Sequence, residues 1–77
     1  MKKPDDLRER VEALSDEFGS TFTLFPDGTL ANLFHENERA TVASLVEKHL
    51  GAKTVVLIRQ EEVGPQGYAL WRIRWEI

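Results

Sequence analysis

The fold is decided by the closing stretch Tyr68-Ala69-Leu70-Trp71-Arg72-Ile73-Arg74-Trp75-Glu76-Ile77, in which every second residue is apolar. Successive side chains of a strand point to opposite faces, so this two-residue period predicts a strand with one dry face. The face that holds both tryptophans of the chain is expected to meet the core, and it comprises Ala69, Trp71, Ile73, Trp75 and Ile77. The opposite face is expected to be the surface most open to a partner, and it comprises Tyr68, Leu70, Arg72, Arg74 and Glu76.

The composition indicates an ordinary globular protein. A chain of 77 residues has room for one domain, which we expect to span residues 1–77. Its net charge of -3, with 30% charged and 42% hydrophobic residues, predicts no general affinity for nucleic acid, although a local basic surface is compatible with it. The chain has no cysteine and no apolar run long enough to cross a bilayer, so we expect a cytoplasmic protein without membrane association.

Two helices are predicted from apolar stripes. The first is expected over residues 5–18 and ends before Gly19, with a stripe formed by Leu7, Val11, Leu14 and Phe18. The second is expected from about Glu36 to Leu50, before Gly51, with one side formed by Val42, Leu45, Val46, His49 and Leu50. Its start stays open, because Asn37 is the better chemical cap whereas His35 would give a longer helix.

A hairpin is predicted between the helices. The strands Thr21–Phe25 and Leu30–Leu33 flank Pro26-Asp27-Gly28-Thr29, and Asp-Gly supplies the positive φ angles of a two-residue turn. If Pro26 faces Thr29, one face of the hairpin comprises Phe22, Leu24, Ala31 and Leu33. The other face then comprises Thr21, Thr23, Phe25, Leu30 and Asn32. Of this second face, Phe25 and Leu30 are expected to contribute to the uncovered surface of the last strand, opposite the tryptophans.

The third strand, Val55 to Arg59, is apolar on both faces, so its register against the last strand stays open. In one register Gly64 faces Gly67 across the predicted turn Gly64-Pro65-Gln66-Gly67. Arg59 then lies opposite Arg72, and the side chains that join the tryptophan face are Val56 and Ile58.

In the other register the loop is one residue longer. Arg59 then lies over Trp71 and no longer faces Arg72. A cation–π contact with the Trp71 ring thus replaces the repulsion between two arginines that face each other. The side chains that meet the tryptophans are now Val55 and Leu57. An exposed apolar patch results beside Arg72 and Arg74, formed by Val56 and Ile58.

These elements predict an α+β fold, a two-layer sandwich of order α-β-β-α-β-β. Two helices are expected to pack on one face of a four-stranded, mainly antiparallel sheet. Because two helices cover only one face, the other face is expected to remain open.

No constellation of residues predicts catalysis. His35-Glu36-Asn37-Glu38-Arg39 begins like a zinc-protease helix, but Arg39 stands where the second histidine ligand belongs. The serines lack a nucleophile setting, and with no cysteine a tetrahedral metal site would need His35, His49 and two carboxylates together. We therefore predict no enzyme, no catalytic residue, no metal and no cofactor.

The function expected is that of a small protein-binding or regulatory module. It would act through the open sheet face or an edge strand, on another protein or on a second copy of itself. Arginine and aromatic residues are enriched at interfaces, and the predicted binding residues are Arg59, Tyr68, Leu70, Arg72 and Arg74.

Besides an enzyme with a carboxylate or a histidine, His35 or His49, in the groove between the second helix and the sheet, two alternatives remain open. In the first, the chain binds single-stranded nucleic acid, with Tyr68 stacked on a base and the strand arginines on phosphates. In the second, Arg72 and Arg74 only solubilise a solvated sheet face, where their aliphatic stems cover apolar neighbours.

Overall fold

The structure is a computed structural model that describes residues 4–62 and 67–77. The predicted turn Gly64-Pro65-Gln66-Gly67 therefore lies outside the described residues, except for Gly67. The elements are α1 (Pro4–Phe18), β1 (Thr23–Leu24), β2 (Leu30–His35), a short 3-10 helix (Glu36–Glu38), α2 (Arg39–Leu50), β3 (Thr54–Glu62) and β4 (Tyr68–Glu76).

The four strands form one sheet in the order β1-β2-β4-β3, and all neighbouring strands are antiparallel. Both β2 and β3 run antiparallel to β4, so they are parallel to each other, and α2 connects them across the central strand. The two helices pack against each other and against one face of the sheet. The predicted α+β architecture and its element order are confirmed.

The core lies between the helices and this sheet face. The helices contribute the buried residues Val11, Leu14, Val42, Val46 and Leu50. The sheet and its connections contribute Phe22, Leu30, Phe34, Ala52, Ala69, Trp71 and Ile73. Both predicted helical stripes and the tryptophan face as far as Trp75 are therefore on the core side, whereas Ile77, predicted to share that face, lies beyond the end of β4 and is 81% exposed.

Trp71 is anchored at the centre of this core. Its ring stacks on Phe34, with centroids 5.2 Å apart and planes 6° from parallel. Its indole N–H donates to the Phe34 carbonyl at 3.1 Å, which satisfies the polar atom that a buried tryptophan brings with it. The alternation of side chains along β4 thus defines which face of the sheet meets the core and, by exclusion, which face remains uncovered.

His35 caps the helical segment that leads into α2. Its Nδ1 accepts a hydrogen bond from the Asn37 N–H at 3.0 Å, and the Glu38 carboxylate accepts one from the His35 N–H at 2.8 Å. These reciprocal bonds form a capping box. Of the two caps that the sequence left open, His35 is the one present, but it caps the 3-10 segment, and α2 itself begins at Arg39, three residues after its predicted start. Gly51 ends the helix with φ 68°.

The predicted register of the first hairpin is wrong. Phe25, not Pro26, faces Thr29: its N–H donates to the Thr29 carbonyl at 2.9 Å, and the Gly28 N–H donates to the Phe25 carbonyl at 2.9 Å. The loop is therefore the three residues Pro26-Asp27-Gly28. Proline is favoured at position i+1 of a type I turn, which Pro26 occupies after Phe25, and Gly28 then takes the left-handed position with φ 90°.

The extra loop residue shifts the register of β2 by one position. Because side chains alternate between the two faces of a strand, every side chain of β2 then points to the face opposite to the predicted one. Leu30, Asn32 and Phe34 point to the core and are buried. Ala31 and Leu33 point to the uncovered face, contrary to the prediction, and Leu33 is 49% exposed.

The register of β3 is the longer-loop alternative. Val55 pairs with Trp75, Leu57 with Ile73, and Arg59 with Trp71. A bulge follows between Arg59 and Glu61, and the strand continues to Glu62, beyond its predicted end at Arg59. As that alternative requires, Val56 and Ile58 are exposed on the uncovered face.

Candidate functional site

The uncovered side of the sheet, called the open face below, concentrates exposed apolar side chains. Five large hydrophobic residues are exposed in the described part of the chain, and Ile77 is the one that lies beyond the strands. The other four are all on the open face: Leu33, Val56, Ile58 and Tyr68. Contiguous exposed apolar surface marks interaction sites more often than isolated exposed side chains do.

The strand register places these side chains next to one another. Leu33 lies opposite the half-buried Leu70, and Ile58 lies opposite Arg72. Val56 lies opposite Arg74 at the next position along β4. The apolar surface therefore runs obliquely from β2 across β4 to the edge strand β3.

At one end of the open face, Tyr68 pairs with His35 across the strands. The rings meet edge to face with centroids 5.2 Å apart. The Tyr68 side chain is 49% exposed, while His35 is half-buried and serves as the helix cap. Tyr68 is thus supported from one side and available to a partner from the other.

Arg72 is fixed by the β1–β2 hairpin. Its Nε donates to Thr29 Oγ1 at 2.9 Å, and its guanidinium carbon lies 4.0 Å from the centroid of the Phe25 ring. A carboxylate oxygen of Asp27 is 3.8 Å from the guanidinium. The charge of Arg72 is thus largely balanced within the protein, and its position is set by three neighbours.

Asp27 is held in its ionised form by the turn. Hydrogen bonds from the Thr29 backbone N–H and hydroxyl, followed by the charge of Arg72, keep the pKa of Asp27 below its ordinary value. The Thr29 bonds measure 3.0 and 2.7 Å. The carboxylate therefore stays charged at neutral pH and remains the counter-ion of Arg72.

Arg74 differs from Arg72 in having no ion-pair or hydrogen-bond partner among residues 4–62 and 67–77. It is exposed and lies beside Val56. It borders a shallow groove of about 810 Å³ whose walls include Gly28, Thr54 and Glu76. Arg74 is the cation of the open face that a partner can reach.

Arg59 lies away from the other predicted binding residues. Its place opposite Trp71 puts it on the helix side of the sheet, where it pairs with Glu36 at 3.3 Å and Glu62 at 3.6 Å. The cation over the Trp71 ring is Arg39, 6.0 Å from the centroid. The structure therefore brings Tyr68, Leu70, Arg72 and Arg74 together on the open face and leaves Arg59 outside it.

Leu33 and His35 belong to the open face and were not predicted to do so. Leu30, which was expected to contribute, is fully buried instead. The signal that could have shown this is Pro-Asp-Gly, because this triplet suits a three-residue hairpin loop as well as Asp-Gly suits a two-residue one. Phe25 does contribute, as the ring beneath Arg72.

The β2 side of the sheet is closed to a further strand. Strand β1 pairs only as far as Thr23 with Ala31, which leaves the N–H groups of Leu33 and His35 beyond its end. The Asn32 Oδ1 accepts from the Leu33 N–H at 2.7 Å, and Glu38 accepts from the His35 N–H. These bonds occupy the donors that an added strand would use.

The side-chain amide of Asn32 has hydrogen-bond partners for its oxygen but none for its nitrogen among the described residues. It is 8% exposed, and its Oδ1 also accepts from the Ser20 hydroxyl at 3.1 Å. Its Nδ2 has no hydrogen-bond partner among the described residues. We assign Asn32 to closing the β2 edge, since both bonds of its oxygen serve that edge or its flank.

The described residues form neither a metal-ligating cluster nor a membrane-spanning helix. Within residues 4–62 and 67–77, no three carboxylate or imidazole side chains lie close enough to hold a metal ion. No helix in the same residues is long and apolar enough to span a bilayer. Comparison with protein-family models, curated proteins and solved structures finds no match to this chain.

Proposed function

We propose that the chain is a non-enzymatic protein-binding or regulatory module that docks its open face onto another protein. The observation that carries the proposal is the concentration of Leu33, Val56, Ile58 and Tyr68 on the one sheet face that no helix covers. Leaving four large apolar side chains in water is unfavourable, at roughly 25 cal/mol per Å² of apolar surface. A partner that covers them recovers this free energy.

The chemistry of the face specifies the kind of partner. Apolar side chains are needed over Ile58 and Leu70, and a carboxylate is needed near Arg74, whose charge has no counter-ion among the described residues. Arg72 needs no carboxylate from the partner, because Asp27 already balances its charge. The expected partner is therefore a protein segment that combines apolar residues with an aspartate or glutamate.

The nucleic-acid alternative has weaker support. It needs several arginines on one surface, but Arg59 lies on the helix side and Arg72 is held by Asp27 and Thr29. Among the described residues, Tyr68 is the one exposed aromatic side chain, whereas nucleic-acid platforms combine several aromatic rings with a basic groove. Binding of a random oligonucleotide at low salt, weakening as salt rises, would favour this alternative over the protein partner.

The proposal includes a cytoplasmic location. A chain without cysteine forms no disulfides and is compatible with a reducing compartment. This part is tested separately, by locating a tagged full chain in its own cell.

The test is selection of displayed random peptides on the immobilised protein. We expect enriched sequences to combine aliphatic or aromatic residues with at least one carboxylate. Arg74→Glu and Ile58→Gln should each weaken their binding by about tenfold, the effect of losing one good interface contact. The matched control, Ala13→Gln, changes an exposed position of α1 on the helical layer and should leave binding unchanged.

Two results would contradict the proposal. One is enrichment of peptides that bind equally well to the wild type and to both open-face variants. The other is enriched sequences without carboxylates, which would remove Arg74 from the site.

A further inference from the structure

The open face carries an exposed carboxylate as well as an exposed cation. Glu61 pairs with Leu70 across β3 and β4, so its side chain lies on the same face as that of Leu70. Glu61 is exposed and has no ion-pair or hydrogen-bond partner among residues 4–62 and 67–77. Like Arg74, it therefore has a charge that a partner can balance.

The β-bulge in β3 is what brings Glu61 to this face. Arg59 pairs with Trp71, and the next pair is Glu61 with Leu70, so Gln60 is the extra residue. Regular pairing would have placed Gln60 opposite Leu70 and turned Glu61 to the helix side. Bulges re-aim side chains and are over-represented beside functional sites. This bulge therefore places a carboxylate where the open face would otherwise have an amide.

The two charges lie at opposite ends of an apolar strip. Arg74 lies opposite Val56, whereas Glu61 lies opposite Leu70, which is four residues earlier in β4. At about 3.4 Å per residue, the two charges are about 14 Å apart along the strand. The exposed side chain of Ile58 lies between them on β3.

The remaining charges of the open face do not cancel this arrangement. Arg72 lies between the two ends, and Asp27 balances its charge. Glu76 lies beyond Arg74 at the end of β4, outside the apolar strip, and these two described side chains form no ion pair with each other. A partner that covers the strip thus meets a cation at one end and an anion at the other.

The segment that covers the strip must pair its own backbone groups. Strands bond to one another within the plane of a sheet, so the face presents side chains and offers no backbone partners to a segment lying on it. Burying unpaired N–H and C=O groups is unfavourable, and an α-helix pairs them internally. Helices α1 and α2 already cover the other face of this sheet in this way. A helix is therefore the segment best suited to the strip.

Resting on the proposed function, we propose that the partner segment is an amphipathic helix with an acidic residue at one end of its apolar side and a lysine or arginine at the other. The acidic residue pairs with Arg74, and the basic residue pairs with Glu61. At 1.5 Å per residue, a span of about 14 Å corresponds to about nine residues of helix. Positions about seven or eleven residues apart lie on one side of a helix and come closest to this span.

The charge pairs determine the direction of the helix more than its affinity. An exposed ion pair adds little binding free energy, whereas placing like charges together in the wrong orientation is clearly unfavourable. The apolar strip then supplies most of the affinity, and the charges select one of two directions along β4. The proposed function needs Arg74 and the apolar side chains, whereas this inference also needs Glu61.

The first test uses two synthetic helical peptides of about 18 residues with the same leucine-rich apolar side. One has glutamate near its N-terminus and lysine near its C-terminus, and in the other these two residues are exchanged. A spin label at the N-terminus of each peptide broadens the NMR signals of nearby amides in the 15N-labelled chain. We expect the first peptide to broaden Val56 and Arg74, and the second, bound in the opposite direction, to broaden Leu33 and Tyr68. Broadening of the same amides by both peptides would overturn the proposal.

The second test reverses the charges of the protein. Glu61→Lys should weaken binding of the first peptide by about threefold or more, because its lysine then meets a like charge. Arg74→Glu combined with Glu61→Lys should reverse the direction of that peptide. The matched control, Glu12→Lys, makes the same charge change at an exposed position of α1 and should alter neither affinity nor direction. An unchanged direction in the double variant would contradict the two charge pairs.

Failure of this inference is distinguishable from failure of the proposed function. If Ile58→Gln weakens binding but the direction of the peptide ignores the charges, the open face still docks a partner, and only this inference fails. If neither peptide shifts the signals of the open face, both fail. If sedimentation equilibrium shows a dimer of the chain that Ile58→Gln dissociates, the occupant is a second copy, and the helical partner is overturned.

Discussion

Arg59 lies opposite Trp71 in the register of β3 against β4, and this pairing decides which side chains of the edge strand meet solvent. Had Arg59 faced Arg72, Val56 and Ile58 would have entered the core. Instead they extend the apolar surface of the open face, and Arg59 turns to Glu36. The open face is consequently more apolar and less basic than three strand arginines suggest.

Gly67→Ala should destabilise the protein beyond the ordinary cost of its backbone conformation. Gly67 has φ 88°, and a Cβ there would lie 2.9 Å from His35 Nε2. We expect a loss of about 1–3 kcal/mol in the free energy of unfolding, measured by urea titration. Gly19→Ala is the control, because its φ is 93° but its Cβ would meet open space, so it should cost about 1 kcal/mol. Equal losses would mean that the His35 ring moves aside freely.

His35→Ala should cost about 1 kcal/mol, because the Asn37 N–H loses the acceptor that caps the helical segment. His35→Asn keeps a side-chain acceptor at the cap and should recover at least half of that loss. Both changes remove the contact with Tyr68, so their difference isolates the cap. Urea titration measures both, and equal stabilities would show that the cap contributes nothing.

Asp27 should contribute stability that depends on pH. Its pKa is lower in the folded protein than its ordinary value of 3.8, because of hydrogen bonds from Thr29 and then the charge of Arg72. A carboxylate with a lowered folded pKa stabilises the fold above its unfolded pKa, and the stabilisation is lost as pH falls through the folded pKa. Asp27→Asn should therefore lower stability at neutral pH and make the acid-induced decline shallower below about pH 4.

Part of that decline should remain in Asp27→Asn, since the pKa of Glu17 is also lowered, by hydrogen bonds from His49 and Lys48. Urea titrations at neutral pH and at about pH 3 separate the two residues when Glu17→Gln is measured alongside. If the free energy of unfolding of Asp27→Asn falls as steeply with decreasing pH as that of the wild type, then the lowered pKa of Asp27 is contradicted.

Asn32→Ala should cost about 1–3 kcal/mol, because the Leu33 N–H loses its acceptor beyond the end of β1. Ser20→Ala removes only the second bond to the same oxygen and should cost about 1 kcal/mol or less. Hydrogen exchange of the Leu33 amide should accelerate in Asn32→Ala and stay slow in Ser20→Ala. Equal exchange rates would mean that Asn32 does not protect this edge.

The sequence predicts the layers of this fold better than its registers. The alternation of β4 is unambiguous, because one parity holds both tryptophans, and the helical stripes end at glycines that take left-handed conformations. The first hairpin was mispredicted because Asp27-Gly28 suits two loop lengths, and one residue inverts every side chain of β2. The register of β3 could not be chosen in advance, since its core segment is apolar on both faces.

The residues of the open face can be predicted from the sequence only in part, for the same reason. Tyr68, Leu70, Arg72 and Arg74 follow directly from the period of β4. Predicting that Leu33 lies on the open face requires the length of the first hairpin loop, which local turn preferences leave ambiguous. The neutralisation of Arg72 by Asp27 is a contact between residues distant in sequence, and no pattern along the chain encodes it.

The most direct test of the central claim, that the open face binds a protein segment, is chemical-shift mapping of the 15N-labelled chain. The probe is the carboxylate-containing apolar peptide that binds best in the selection. We predict that the largest shifts occur at Leu33, Ile58, Leu70 and Arg74. Arg74→Glu should require about tenfold more peptide to reach the same shifts, whereas Ala13→Gln should leave the titration unchanged. Shifts confined to the helical layer would contradict the account.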